Sequence, residues 1–397
     1  MKKKSRLIYL DHAATTPTDP RVVRAMMPFF NKNFGNPSAL YQAGVQAHEA
    51  IESARKAVAN IFHSQPDTVV FTSGGTESDN LAVLGTALAH ENHGRHIISI
   101  GIEHDAVLAP LQRLKKRGFD ITFIPVDKNG LVNPQNVYAS LRPDTILVTI
   151  MYANNEIGTI EPIADIGRLL LRFRKEHQTS YPFFHSDACQ AAGYLDLDVE
   201  KLHVDLLTVN GSKIYGPKGV GCLYIRRGLV VEPRQLGGSH ENGRRAGTEN
   251  VPAIVGFSKA LELATQKRNM DSQKQRLLSH YFEKKLQSLA KDFSIGIHLN
   301  GPPVGESRLP NNINVGVSDI EGEALVIYLD AAGIACSTGS ACSLLTKDPS
   351  HVLKTIGTPS KCARSVVRFT LGRSTTRLDI DTTIKALKNA IQTLRPA

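Results

Sequence analysis

The stretch Val69-Val-Phe-Thr-Ser-Gly-Gly-Thr-Glu-Ser78 runs from a β-branched segment through a small-residue turn into a helix start. Val69–Thr72 reads as a strand. A helix is expected over 76–90, opened by Thr76 with Glu77 and Asp79 in its first turn, where acidic side chains offset the helix dipole. Such a joint offers free backbone N–H groups to an anion, typically a phosphate. An ordinary strand–helix turn is the competing reading. Outwards from it, His96–Ile100, 121–125, 145–152, 182–187, 205–210 and Gly221–Ile225 read as six more strands. Helices at 105–117 and Ile163–Glu176 lie between some of them. These apolar runs lack strict alternation and are separated by helices, which indicates an α/β fold around a mostly parallel seven-stranded sheet buried on both faces.

After Asn250 the pattern changes. A long helical stretch covers 251–291. Strands at 295–299 and 313–317, a helix at 322–332, a strand at 366–371 and a helix at 379–394 then form a smaller α+β unit. The expected division places 16–262 in a large domain, and 1–15 with 263–397 in a small one. The boundary falls inside the long helix. No internal repeat or low-complexity tract is visible.

The chain has 397 residues, 47 Lys+Arg and 37 Asp+Glu, a formal charge of 47 − 37 = +10. That length suits two or three domains and a full core. The 41% hydrophobic and 21% charged fractions exclude disordered and collagen-like classes. Five scattered cysteines, an odd number, argue against a disulfide framework and for a reducing compartment. No apolar run approaches a membrane span, and the basic start 1–6 lacks a signal-peptide core. A cytoplasmic location without membrane contact is expected. The basic residues are spread along the chain, Trp is absent, and no aromatic-interleaved basic stretch appears, so sequence-specific nucleic-acid binding is not expected.

Two further stretches carry chemistry. Phe183-Phe-His-Ser-Asp-Ala-Cys-Gln190 delivers Asp187 at the carboxyl end of a strand, where open α/β sheets bind ligands. A lone Asp there is commonly a helix cap. Asp205-Leu-Leu-Thr-Val-Asn-Gly-Ser-Lys213 ends a strand in a polar turn that presents a lysine. A lysine that forms a Schiff base must be partly desolvated so that its amine is neutral. A solvated loop lysine is the alternative, and Lys218 in the following Gly-Pro-Lys-Gly loop reads that way. An anion cradle, an acid at a strand end and a lysine 26 positions later (213 − 187) are together the requirements of pyridoxal 5′-phosphate.

With these residues the chain resembles the cysteine desulfurases of the NifS/IscS type, in the class V aminotransferase family of fold-type I pyridoxal-phosphate enzymes. The resemblance runs from Tyr9-Leu-Asp-His-Ala-Ala-Thr-Thr-Pro17 to Arg368-Phe-Thr-Leu-Gly-Arg373. It takes in Phe34-Gly-Asn-Pro-Ser38, Asn154-Asn-Glu-Ile-Gly158, Arg245-Ala-Gly-Thr248 and Ser340-Ala-Cys342. It implies that Lys213 links to the cofactor and Asp187 pairs with the ring nitrogen. It implies that His104 stacks on the ring and moves protons, while Asn155 and Gln190 hydrogen-bond the cofactor. Gly75 and Thr76 match the phosphate cradle, and Asn210 and Ser212 can donate further hydrogen bonds to the phosphate. Thr248 matches a phosphate ligand donated by a second subunit, which implies a homodimer. Asn155 and Arg368 match substrate contacts. The chain departs from the pattern at Ser212, where a histidine is common, and the charge of an imidazolium is lost there. Tyr41 stands where histidine is common, and Cys189 where threonine is.

Cys336 and Cys342 lie six apart (342 − 336), a spacing that does not suit a zinc pair, and no metal site is expected. Residue chemistry leaves the two equal as nucleophiles; Cys336 also suits a small buried apolar role. The resemblance selects Cys342. Arg368 sits in an apolar strand, and a buried arginine needs an anion. That anion is an internal carboxylate or, by the resemblance, the substrate carboxylate.

The expected function is conversion of L-cysteine to L-alanine with sulfur held as a persulfide on Cys342. The expected acceptor is an iron–sulfur scaffold or a tRNA-thiolation enzyme. The chain stops at Pro396-Ala397, short of the C-terminal extension with which housekeeping relatives dock the scaffold. Alternatives are a selenocysteine lyase, a class V aminotransferase, and a nucleic-acid-binding protein without a chromophore.

Overall fold

The computed structural model describes residues 6–339 and 350–394. Strand β1 (Ile8–Tyr9) opens the described chain. The central sheet comprises β2 (Val69–Thr72), β3 (His96–Ile100), β4 (Asp120–Ile124), β5 (Thr145–Thr149), β6 (Phe183–Asp187), β7 (Leu206–Asn210) and β8 (Gly221–Ile225). Its order is β2-β8-β7-β6-β5-β3-β4. β3 to β7 pair in parallel, and β8 runs antiparallel to both β7 and β2. The expected seven-stranded, mostly parallel α/β sheet is therefore the observed one.

The reason lies in the side chains. β2, β3, β5 and β8 are buried at every position, as strands covered on both faces must be. β4, at the sheet edge, is mostly half-exposed. One core cluster fills one face of the sheet with residues such as Phe62, Val148, Phe184 and Phe257. Another fills the opposite face, with Leu81, Ile97, Leu111, Leu206 and Leu223.

The remaining strands, β9 (Ile297–Leu299), β10 (Asn312–Val317), β11 (Ile334–Ala335) and β12 (Val366–Thr370), belong to the smaller unit. β12, β10 and β9 form an antiparallel sheet, and β11 pairs with β1. A separate core of Phe282, Ile313, Leu325, Phe369 and Leu387 packs against it. The helix Val251–Asp292 links the cores: its Phe257 and Leu261 lie in the large one, and its Leu278, Phe282 and Leu286 in the small one.

Some boundaries differ from expectation. The strand expected over 145–152 ends at Thr149, although Ile150 and Tyr152 N–H still donate to the His185 and Asp187 carbonyls of β6, at 3.1 and 2.8 Å. The helix expected over 76–90 is a helix Gly75–Asn80, a π-helical turn Leu81–Gly85 and a final turn Thr86–Ala89. A wide turn of that kind shifts the helix face by one residue. The helix Gln42–Phe62 was not anticipated, though Ala47, Ile51, Ala54 and Val58 mark its buried face.

The segment 10–16 joins the two units. His12 N–H donates to the Thr370 carbonyl at 3.3 Å and Ala13 N–H to the Thr370 hydroxyl at 2.9 Å. Thr16 N–H and hydroxyl both donate to the Ser212 carbonyl, at 2.8 and 2.9 Å. The small unit is thereby held against the turn that carries Lys213.

Candidate active site

β3 continues outward to β4, whereas β5, β6 and β7 progress the other way, so the chain reverses its direction of sheet growth between β3 and β5. At the carboxyl ends of these strands lies a cavity of about 280 Å³. Its wall includes Gly75, Thr76, His104, Asn155, Asp187, Gln190, Asn210, Lys213 and Arg368, all singled out in the sequence. Ser212 is not among the lining residues; its hydroxyl donates to Asn210 Oδ1 at 3.2 Å beside the cavity. Thr248 is exposed and lines a different cavity, of about 200 Å³, with Arg245 and Gly247. Cys342 lies outside the described residues.

Lys213 stands just after β7, and its Nζ donates to the Ala14 carbonyl at 2.6 Å. Burial pulls its pKa below the usual 10.5, which raises the share of neutral amine. Asp187 ends β6, and its Oδ1 accepts from Cys189 N–H at 2.8 Å. The carboxylate thus makes a local turn and also faces the cavity. His104 likewise does two things. Its Nδ1 accepts from Ala106 N–H at 3.1 Å, capping the helix Asp105–Lys115, and its ring forms cavity wall. With Nδ1 accepting, a neutral ring carries its proton on Nε2. Gln190 Nε2 donates to the Ala13 carbonyl at 2.9 Å.

Arg368 is 2% exposed. Its Nη2 donates to Asp11 Oδ1 at 2.8 Å, its Nη1 to the Asn155 carbonyl at 2.8 Å, and its Nε has no partner. The internal ion pair weighed from the sequence exists, and the guanidinium also lines the cavity, with its Nε unpartnered.

The residues fit pyridoxal phosphate. Gly75, at the start of the helix, has no side chain to fill the cradle: a Cβ there would stand 2.8 Å from Cys189 Sγ and 3.5 Å from Asn210 Nδ2. A desolvated amine and a strand-end carboxylate face the same space.

Sequence reasoning passed over Asp79 and Met151, which also line the cavity. From the sequence Asp79 reads as a first-turn helix residue, yet it is 1% exposed. Its only sequence signal is a carboxylate three positions after Thr76, on the face a helix there turns to the sheet. Among the four described cysteines all are free. Cys336 is half-buried against the small core, with its thiol pKa pushed up to about 12 by burial.

Residues 8–383 match the aminotransferase class-V family. The chain belongs to that family, whose enzymes depend on pyridoxal phosphate. A cysteine desulfurase IscS of Dictyoglomus turgidum is 45% identical over 390 residues, covering 98% of this chain and 96% of the relative. One from Methanosarcina thermophila is 45% identical over 392 residues, covering 99% and 94%. Among solved structures, a NifS-like protein superposes with TM-score 0.89 at 34% identity, covering 98% of this chain and all of that one. The structure of SspA in complex with cysteine gives 0.77 at 34% identity, covering 92% and 98%.

Proposed function

We infer that this enzyme is a pyridoxal-phosphate-dependent cysteine desulfurase, converting L-cysteine to L-alanine and retaining the sulfur on Cys342. The observation that carries the reading is the convergence of Lys213, Asp187, His104 and Arg368 on one cavity between the two units. The relatives named cysteine desulfurase cover nearly the whole chain.

The bound cofactor supplies an electron sink for the charge that develops at the substrate Cα. The chain's own residues do the rest. Lys213 Nζ, held at the cavity wall, takes the Cα proton. Arg368 binds the substrate carboxylate through its guanidinium and so fixes which Cα bond faces the lysine. Asp187 holds the proton of the ring nitrogen, and Gly75, Thr76, Asn210 and Ser212 hold the phosphate. His104 Nε2–H, directed by the Ala106 bond, is the proton donor on the opposite wall. Cys342, as thiolate, forms a bond to the substrate sulfur as the Cβ–S bond breaks; the electron pair stays with Cβ, which a proton converts to the alanine methyl. Reduction or an acceptor then removes the sulfur.

Incubation of the purified protein with L-cysteine and a thiol reductant tests this: alanine and sulfide form in equal amounts. Cys342→Ala abolishes both and keeps the cofactor absorbance, whereas an active Cys342→Ala protein overturns the nucleophile assignment.

The assembly is a homodimer in which Thr248 completes the partner's phosphate site. Two features support this: Thr248 is exposed and away from its own chain's cavity, and Phe30, Phe34, Leu40 and Tyr41 are 58%, 73%, 97% and 62% exposed. The acceptor is an iron–sulfur scaffold or a tRNA-thiolation enzyme, and the compartment is the reducing cytoplasm, which the free cysteines favour. Among the described residues no helix is long and apolar enough to cross a membrane. The domain division at 262/263 is supported by the two cores that the helix Val251–Asp292 joins.

A further inference from the structure

Beside Asp187 stands a second carboxyl that the reaction above does not use. Asp79 is 1% exposed and lines the same cavity. It comes from the helix Gly75–Asn80, which packs on β7. On β6, His185 and Asp187 stand two residues apart and so point to the same face. Asp187 is paired in register with Thr208 of β7. The Thr208 hydroxyl acts on the Asp79 carboxyl and favours its charged form. His185 Nε2 lies 3.1 Å from that hydroxyl and 3.6 Å from Asp79 Oδ1.

His185 does not neutralise Asp79. Its Nδ1 is 2.8 Å from the Thr149 hydroxyl, so a neutral ring satisfies both sides: Thr149 donates to Nδ1, and Nε2–H donates to Thr208. Burial lowers its pKa to about 4, which keeps it neutral. The other groups that face Asp79 are Asp187, Glu103 and Cys189, none of them cationic. Lys213 acts on Asp187 and Cys189, and its own charge is disfavoured by burial; Arg368, the other cation of the cavity wall, is paired with Asp11. Asp79 Oδ1 has no hydrogen-bond partner. Burial first, and Asp187 second, push the Asp79 pKa well up. Two neighbouring carboxyls in a closed pocket do not both ionise without a cation paired to each.

We propose that Asp79 and Asp187 carry one proton between them in the cofactor-free chain, and that this proton is released when the cofactor's ring nitrogen docks as a cation against Asp187. One O–H bond of the carboxyl pair breaks, and the proton passes to the buffer. Asp79 is then a positioning residue, which sets how strongly Asp187 holds the cation. The proposal rests on the reading of Asp187 as ring-nitrogen partner.

The test counts protons rather than turnover. The full-length chain, stripped of cofactor, is titrated with pyridoxal phosphate by calorimetry in two buffers of different ionisation enthalpy, neither a primary amine nor phosphate. Asp79→Asn keeps the shape of the protonated acid and cannot lose its proton. Wild type is expected to release more protons than Asp79→Asn, by up to about one per site. Equal release overturns the proposal. Asp79→Ser replaces Asp79→Asn if the latter does not fold, with the same two outcomes. Asp187→Asn separates the layers. Cofactor affinity unchanged in Asp187→Asn overturns the underlying reading of Asp187. Weakened affinity there, with equal proton release in wild type and Asp79→Asn, overturns only the shared proton.

Discussion

Gly75 and Cys189 occupy one another's space: a Cβ on Gly75 would stand 2.8 Å from Cys189 Sγ. The cysteine is buried at 8% exposure, and its side chain is too short to swing clear without moving the wall of the cavity. Gly75→Ala is expected to lower stability by about 1–3 kcal/mol, the usual cost of overpacking, and to weaken cofactor binding. Cys189→Ala in the same chain restores both, so the double variant is more stable than the sum of the singles. Thermal melts and cofactor titrations of the four proteins check it.

Lys213 predicts a pH dependence. Burial lowers its pKa, so the neutral amine is present at a pH where a solvated lysine is charged. Covalent capture of the cofactor aldehyde by the stripped chain should therefore reach its plateau below pH 10.5. The sign for stability follows. The folded chain binds fewer protons than the unfolded one between the lowered pKa and 10.5, so this lysine makes stability rise with pH across that window. Lys213→Ala removes the absorbance band and leaves activity at background. Stopped-flow absorbance against pH measures the first expectation.

Arg368 divides its donors between Asp11 and the Asn155 carbonyl and retains Nε. Arg368→Lys keeps the charge but loses the planar fork. KM for L-cysteine should rise by about tenfold or more, the equivalent of one charge-assisted hydrogen bond, with cofactor absorbance unchanged. Steady-state kinetics of the variant measures it.

Glu156 meets both flanks of the segment that contains Cys342. Ser350 Oγ donates to its Oε2 at 2.6 Å, and a Cβ on Gly339 would lie 3.0 Å from the same oxygen. Glu156→Ala should cut the alanine yield per unit time roughly tenfold while the cofactor still binds as in wild type, since positioning losses of an ångström carry costs of that order or greater. Single-turnover alanine formation and a cofactor titration, run side by side, separate the two effects.

Glu161 makes its contact with the Val132 backbone pH-sensitive. It is 2% exposed, its Oε2 accepts from Val132 N–H at 3.0 Å, and its Oε1 has no partner. Burial raises its pKa to about 8. A raised acid binds its proton more tightly when folded, so its contribution is whole below pH 4.5 and is lost as pH climbs through about 8. Glu161→Gln should flatten that fall and stabilise the protein at pH 9 by about 1–3 kcal/mol. Urea denaturation at pH 6 and pH 9 reads it.

Much of the large unit was legible because burial on both faces of a parallel sheet leaves a local mark. Val69–Thr72, His96–Ile100 and Gly221–Ile225 were read to the residue. So were the positions of Asp187 and Lys213 at strand ends, because a strand that stops in polar residues points them at the carboxyl edge. The helix Gln42–Phe62 is faint in sequence because half of its buried face is alanine and glycine and Arg55 interrupts it. The π-helical turn at Leu81–Gly85 leaves no compositional signal at all.

By itself, then, the sequence determined the sheet, the cofactor class and the residues at the strand ends, since each depends on neighbours within a few positions. Tertiary structure alone decided the rest. Asp11, Asn155 and Arg368 meet across hundreds of residues of chain, and the ion pair exists only because segment 10–16 ties the small unit to the Lys213 turn. It also turned Asp79 from a helix-start acid into a buried neighbour of Asp187. The physical reason is the same in both cases. A charge's partner and its exposure to water are set by whatever other segments pack around it, and no local pattern records them.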